Sequence, residues 1–168
     1  VTALVNNAGI IGGESRVDEI DAETLSHVWA TNVTSCFLCA REAVRRMSTA
    51  HGGVGGAIVN VSSLAAKLPG AVKRAHYGTS KGAVNTFTVA LATELAGEGI
   101  RVNAVLPGAV DTDIQAPYGG MERFKRLAPA IPLGRWAEPE EVAEPILWLL
   151  SDKASYVTGS LFEVSGAR

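Results

Sequence analysis

The sequence predicts an α/β protein built as a doubly wound parallel sheet with helices on both faces. Three observations carry this. Strand-like and helix-like segments alternate along the chain, which implies βαβ crossovers and parallel neighbours. The strand segments ALVN, AIVNVSS and IRVNAVL are continuous apolar, β-branched runs, as buried parallel strands are. Their ends carry turn residues, such as Asn7-Ala8-Gly9 and Pro107-Gly108.

The elements follow in order. Ala3 to Asn6 is a short buried strand. Asp21 is placed to cap a helix whose first apolar residues are Leu25 and Val28. Val33, Phe37, Ala40, Val44 and Met47 step by four and three, predicting one apolar stripe that ends at His51 and the glycines after it. Ala57 to Ser63 is the second strand, followed by a loop to about His76. A helix from Tyr77 carries Val84, Phe87, Leu91 and Leu95 inward and stops at Gly97 and Gly99. Ile100 to Leu106 is the third strand. The stretch holding Pro117, Gly119, Gly120, Pro129 and Pro132 reads as variable loop. Pro139 opens a helix with Glu140 and Glu141 near its positive end, and Pro145 is expected to bend it. Leu161 to Val164 is the last strand.

The 168 residues fit one domain, 1–168, with one core; 47% are hydrophobic and 19% charged, an ordinary globular balance. The net charge of −2 offers no basic stripe, so nucleic acid is not an expected partner. No apolar run approaches a membrane span, and no basic-then-apolar leader is read, so a cytoplasmic location is expected. Cys36 and Cys39 lie inside a helical pattern with no second Cys/His pair; they read as reduced, small apolar residues, and no metal site is expected.

In open parallel sheets ligands bind beyond the carboxyl ends of the strands. There this chain places Asn6 and Asn7, Ser62 and Ser63, and Pro107-Gly108 with Thr112. Tyr77 and Lys81, four apart on a helix, share a face at the same end. An ammonium beside a phenol favours the phenolate, and a tyrosine so tuned exchanges protons near neutral pH. Ser63 is placed to hold a carbonyl or alcohol oxygen beside it. No G-x-S-x-G occurs to make a hydrolase elbow for His27, His51 or His76. Hydride chemistry at such a centre needs a borrowed cofactor.

Six segments together resemble the short-chain dehydrogenase/reductases: NNAG (6–9), TNV (31–33), IVNVSS (58–63), YGTSK (77–81), GIRVNAVLPG (99–108) and YVTGSLFEVSG (156–166). Order and spacing match over nearly the whole chain, with the nearest look to bacterial glucose/ribitol-dehydrogenase-like and 3-oxoacyl-reductase-like members. The resemblance implies a Rossmann-like, three-layer αβα sheet and an NAD(P)-dependent interconversion of a secondary alcohol and a ketone. It implies that Tyr77 is the general acid/base, that Lys81 lowers its pKa and binds the nicotinamide ribose, and that Ser63, rather than Ser62, orients the substrate oxygen. Asn32 would kink its helix and hold a relay water. Asn6, Ala8 and Gly9 would line the NAD or NADP site, with Asn6 or Asn7 also tying the central strands. Pro107, Gly108, Val110 and Thr112 would meet the nicotinamide. The stretch from Asp111 to about Arg135 would cover the substrate, with Tyr118, Met121 and Phe124 as candidate contacts. A homo-oligomer, tetramer or dimer, is implied, with helices Val33–Met47 and Val84–Leu95 as the usual interface.

Two departures bear on these expectations. The family's glycine-rich phosphate turn follows its first strand, whereas GGVGG (52–56) follows a helix and precedes a strand, the wrong context. The first βαβαβ half is not in the sequence, so the chain is expected to be a fragment, with Ala3–Asn6 as a bare apolar edge and weak cofactor binding on its own. The C-terminal SGAR lacks the acidic residue and paired glycines of many relatives, which loosens the oligomer expectation. The competing readings are a cofactor-independent dehalogenase-like member, which Lys81 and Pro107-Gly108 argue against, and a non-catalytic binding member.

Overall fold

The structure, a computed structural model, describes residues 1–68 and 72–168; residues 69–71, within the loop expected before His76, lie outside the described residues. Strands β1 (Ala3–Asn6), β2 (Gly56–Val61), β3 (Ile100–Pro107) and β4 (Leu161–Val164) form one sheet in the order β1-β2-β3-β4. Every neighbouring pair is parallel, with Asn6 opposite Asn60, Val61 opposite Val105 and Pro107 opposite Val164. The crossovers are helical: α1 (Ala22–Trp29) and α2 (Ser35–Met47), then α3 (Ala75–Leu95), then α4 (Gly120–Leu127) and α5 (Pro139–Leu150).

Alternate residues of β2 and β3 feed two cores. Ile58, Ile100 and Val102 pack with Ala40, Met47, Leu91 and Leu95 of α2 and α3. Val59 and Val105 pack with Val142 and Leu149 of α5. This is the expected three-layer αβα arrangement, and the two-sided burial explains why both strands read as unbroken apolar runs. β1 forms one edge of the sheet, with Val5 exposed, as the sequence suggested.

Buried polar groups tie the layers. The Asn6 amide donates to Asn60 Oδ1 at 2.8 Å, and the Asn60 amide donates to Thr88 Oγ1 at 2.9 Å, linking β1, β2 and α3. Asn103 and Arg101 of β3 bond the Val157 and Leu149 carbonyls at 2.8 and 2.7 Å, seating the approach to β4 and the end of α5. Ser48, after α2, bonds Glu98, before β3.

The structure differs from the sequence reading at several points. The chain between α1 and α2 is a π-helical turn, Ala30–Thr34, with Asn32 and Val33 buried in it. The buried face of α2 is Cys36, Ala40, Ala43 and Met47; of the expected stripe Ala40 and Met47 are buried and Val44 packs half-buried against the core, but Phe37 does not. Small side chains let the helix lie close to the sheet, and Phe37, 51% exposed, stacks instead on Phe87 at 4.0 Å between centroids. Cys39 is exposed, while burial raises the Cys36 thiol pKa above its ordinary value. Helix α5 runs unbroken through Pro145, secured at its start by the Glu138/Glu141 capping box. The stretch read as variable loop contains α4.

Candidate active site

The C-terminal ends of β1, β2 and β3, with the start of α3, open on a cavity of about 840 Å³. Asn7, Ala8 and Gly9 enter its wall after β1, and Ser62 and Ser63 after β2. Tyr77 and Lys81 come from α3, and Pro107, Gly108, Val110 and Thr112 follow from β3. Crossover topology thus gathers into one crevice residues more than a hundred positions apart in the chain.

The two serines are used differently. Ser62 donates its hydroxyl to the Lys81 carbonyl at 3.0 Å, which holds α3 against the end of β2. Ser63 starts the turn Leu64–Ala66, accepting from the Ala65 N–H at 3.2 Å, and it lines the same cavity as Tyr77. Burial raises the Tyr77 pKa above its ordinary value, while the Ser63 hydroxyl and the charge of Arg74 pull it the other way. This corrects the sequence expectation that Lys81 lowers it. The Lys81 ammonium is directed to the Val61 carbonyl, which it bonds at 2.8 Å, and burial lowers its own pKa.

Asn32 is fully buried and touches neither Tyr77 nor Lys81 by hydrogen bond; it bonds the Ile10 backbone twice and donates to Ser80 Oγ at 3.0 Å. The kink expected of it is the π turn. Its own carbonyl accepts from the Cys36 thiol at 3.3 Å. The Asn6 side chain turns to Asn60 and away from the cavity, where Asn7 takes the wall position.

Of the expected cover, Phe124 is buried in the wall and stacks on Trp136 at 5.3 Å. Tyr118 holds the cover down, its hydroxyl accepting from the Gly13 N–H at 3.0 Å. Met121 points out to solvent and does not line the cavity. Sequence reasoning missed Gln115, whose buried Oε1 has no partner among the described residues, and Arg74 and Arg123, which also line the wall. Arg74 carries a signal in hindsight, a charge just ahead of the Tyr77 helix.

The wall suits the nicotinamide-ribose half of a dinucleotide. Gly9 leaves the floor open: a Cβ there would stand 3.1 Å from Lys81 Nζ and 3.5 Å from Asn32 Oδ1. Ser63, Tyr77 and Lys81 line the same cavity. No group of three or more metal-ligating side chains occurs among the described residues, and no described helix is long and apolar enough to cross a membrane.

The family model described as enoyl-(acyl carrier protein) reductase matches residues 1–166. An uncharacterised oxidoreductase of Escherichia coli is 49% identical over 168 residues, covering all of this chain and 68% of its own length. An NAD(P)-dependent L-rhamnose 1-dehydrogenase of Azotobacter vinelandii is 40% identical over 99% of this chain and 64% of its own length. A crystal structure of a candidate 2-deoxy-D-gluconate 3-dehydrogenase from Agrobacterium tumefaciens with bound NADP superposes with a TM-score of 0.89 at 32% identity, over 98% of this chain and 66% of that one. A candidate gluconate 5-dehydrogenase from Beutenbergia cavernae, also with NADP, gives 0.89 at 38% identity over 99% of this chain and 65% of its own. The chain thus spans about two thirds of the proteins it matches. With its parallel αβα sheet and this cavity at the strand ends, the chain belongs to the short-chain dehydrogenase/reductase family of NAD(P)-dependent oxidoreductases.

Proposed function

We propose that the chain carries the proton-transfer half of an NAD(P)-dependent oxidoreductase that interconverts a secondary alcohol and a ketone. The reading rests on one observation: Ser63, Tyr77 and Lys81 line one cavity, and Gly9 leaves room beside the Lys81 ammonium. Bound NAD(P) supplies the hydride acceptor or donor. Lys81 would hold its ribose hydroxyls, and Pro107, Gly108, Val110 and Thr112 would pack around the nicotinamide.

The chain's own part is oxygen and proton handling. Ser63 orients the substrate oxygen toward Tyr77. In reduction the Tyr77 O–H gives its proton to the developing alkoxide. Its raised pKa keeps the phenol protonated at neutral pH, which suits that direction. In oxidation the same oxygen takes the proton back. Asn32 fixes the floor of the site through Ile10 and Ser80. A cytoplasmic homo-oligomer is the assembly this reading adopts.

The test is absorbance at the reduced-nicotinamide band with a panel of polyols, sugars and keto esters. It compares this chain with one extended at its N-terminus, and each with its Tyr77→Phe variant. Turnover in the extended chain that disappears in Tyr77→Phe is expected. Full turnover by Tyr77→Phe would remove the phenol from the mechanism.

A further inference from the structure

The cavity is charged in a way that proton transfer does not require. Among its described lining residues stand Arg74, Lys81, Arg123 and Arg168, and no aspartate or glutamate, in a chain whose net charge is −2. Lys81 is accounted for above. Arg74 is buried, its side chain 7% exposed, and it donates through Nε and Nη2 to Glu14 Oε1 at 3.0 and 2.6 Å. Its guanidinium lies over the Tyr118 ring, 4.4 Å from the centroid. Arg123, 26% exposed, meets the same Glu14 oxygen only as a 3.5 Å ionic contact, and among the described residues no hydrogen bond takes up its guanidinium donors. Two guanidinium groups therefore share one carboxylate, which leaves net positive charge on the cavity wall. Holding like charges together is unfavourable unless an anion joins them. The effect registers on Arg123, where burial and then repulsion from Arg74 depress the pKa, Glu14 works against them, and Arg126 and Arg168 add to the depression.

We propose that Arg123, backed by Arg74, anchors a carboxylate on the substrate, so that this cavity takes a hydroxy acid or its keto acid. The proposal rests on the oxidoreductase reading and names its substrate class. A guanidinium fork matches the two oxygens of a carboxylate, and a charge-assisted pair gains strength away from bulk water. The excess over Glu14 suits a monoanion better than a phosphate ester. Gln115 Oε1, buried in the same wall without a partner among the described residues, supplies an acceptor for a hydroxyl of that acid. The acid end at Arg123 and the reacting oxygen at Tyr77 then fix the molecule at two points, which selects one carbon for the chemistry.

Two pairs of probes test this: D-gluconate with neutral D-glucitol, and 4-hydroxycyclohexanecarboxylate with its methyl ester. Binding is measured by calorimetry with and without NADP, and turnover by nicotinamide absorbance. The acid of at least one pair is expected to bind about tenfold or more tighter than its neutral partner. Arg123→Gln should erase that difference through KM, Arg123→Lys should keep part of it, and Glu14→Gln, which removes the competing carboxylate, should tighten the acid. Equal binding within both pairs, no binding of either acid, a preference for glucose 6-phosphate, or an Arg123→Gln defect confined to NADP affinity would each overturn the proposal. Acid-selective binding without turnover in the extended chain would keep the anchor and sink the oxidoreductase reading; turnover without acid preference would do the reverse.

Discussion

Asn32 and Ile10 exchange two hydrogen bonds: the Ile10 N–H donates to Asn32 Oδ1 at 2.8 Å, and the Asn32 amide returns one to the Ile10 carbonyl at 2.9 Å. A side chain buried in a π turn thereby satisfies the backbone of the loop that leaves β1. Asn32→Ala leaves both Ile10 groups and Ser80 without this partner. A loss of about 1–3 kcal/mol in urea unfolding is expected. Asn32→Asp should do no better, because a carboxylate cannot donate to the Ile10 carbonyl.

Tyr77 should ionise late. Burial outweighs the help its anion receives from Ser63 and Arg74, so the phenol belongs above its ordinary value of 10.0. The chain has three tyrosines. An ultraviolet titration of the chain minus that of Tyr77→Phe isolates this one, and a step below pH 10 would contradict the cavity's electrostatics.

Gly9→Ala separates function from folding. The new methyl meets Lys81 Nζ at 3.1 Å, and the ammonium is the movable end of a long side chain. Unfolding free energy should change by less than about 1 kcal/mol. Turnover of the extended chain should fall by about 10- to 100-fold, because the displaced group belongs to the site. A matching fall in both would make Gly9 a folding residue only.

Glu141 gives a pH signature outside the cavity. The Arg135 guanidinium bonds both its oxygens at 2.6 and 2.7 Å, and the Glu138 N–H adds a third bond, pulling its pKa down to about 2 from an ordinary 4.5. A carboxylate whose pKa is depressed on folding stabilises the fold above its unfolded pKa, and that contribution fades as pH falls through the folded one. The melting temperatures of the chain and of Glu141→Gln should therefore differ most above pH 4.5 and converge toward pH 2.

The sheet was legible because each buried strand must be apolar on both sides, and β2 and β3 leave no other reading of IVNV and VNAV. The helix carrying Tyr77 and Lys81 was legible because its apolar residues recur at helical spacing, although what the pair does was not. Two further features were not. The α2 stripe was right at Val33, Ala40 and Met47 but not at Phe37, whose size suggested a core position that the close approach of helix to sheet reserves for Cys36 and Ala43. Helix α4 hid behind Pro117 and two glycines; Gly119 takes φ +97°, a turn signal, while Phe124 alone carries its inward face. The arginines of the wall escaped because their meaning lies in who surrounds them, and a linear string does not say that Arg74 and Arg123, 49 positions apart, share Glu14.

The cavity is divided along the chain as well as in space. Ser63 follows β2 and Tyr77 and Lys81 stand on α3, whereas Gln115, Arg123 and Phe124 lie in the segment between β3 and α5. Under the proposed roles, the wall after β2 and on α3 and the segment between β3 and α5 can be varied separately: exchanging residues 113–130 would reshape the cavity while β2, α3 and the sheet beneath stay as they are.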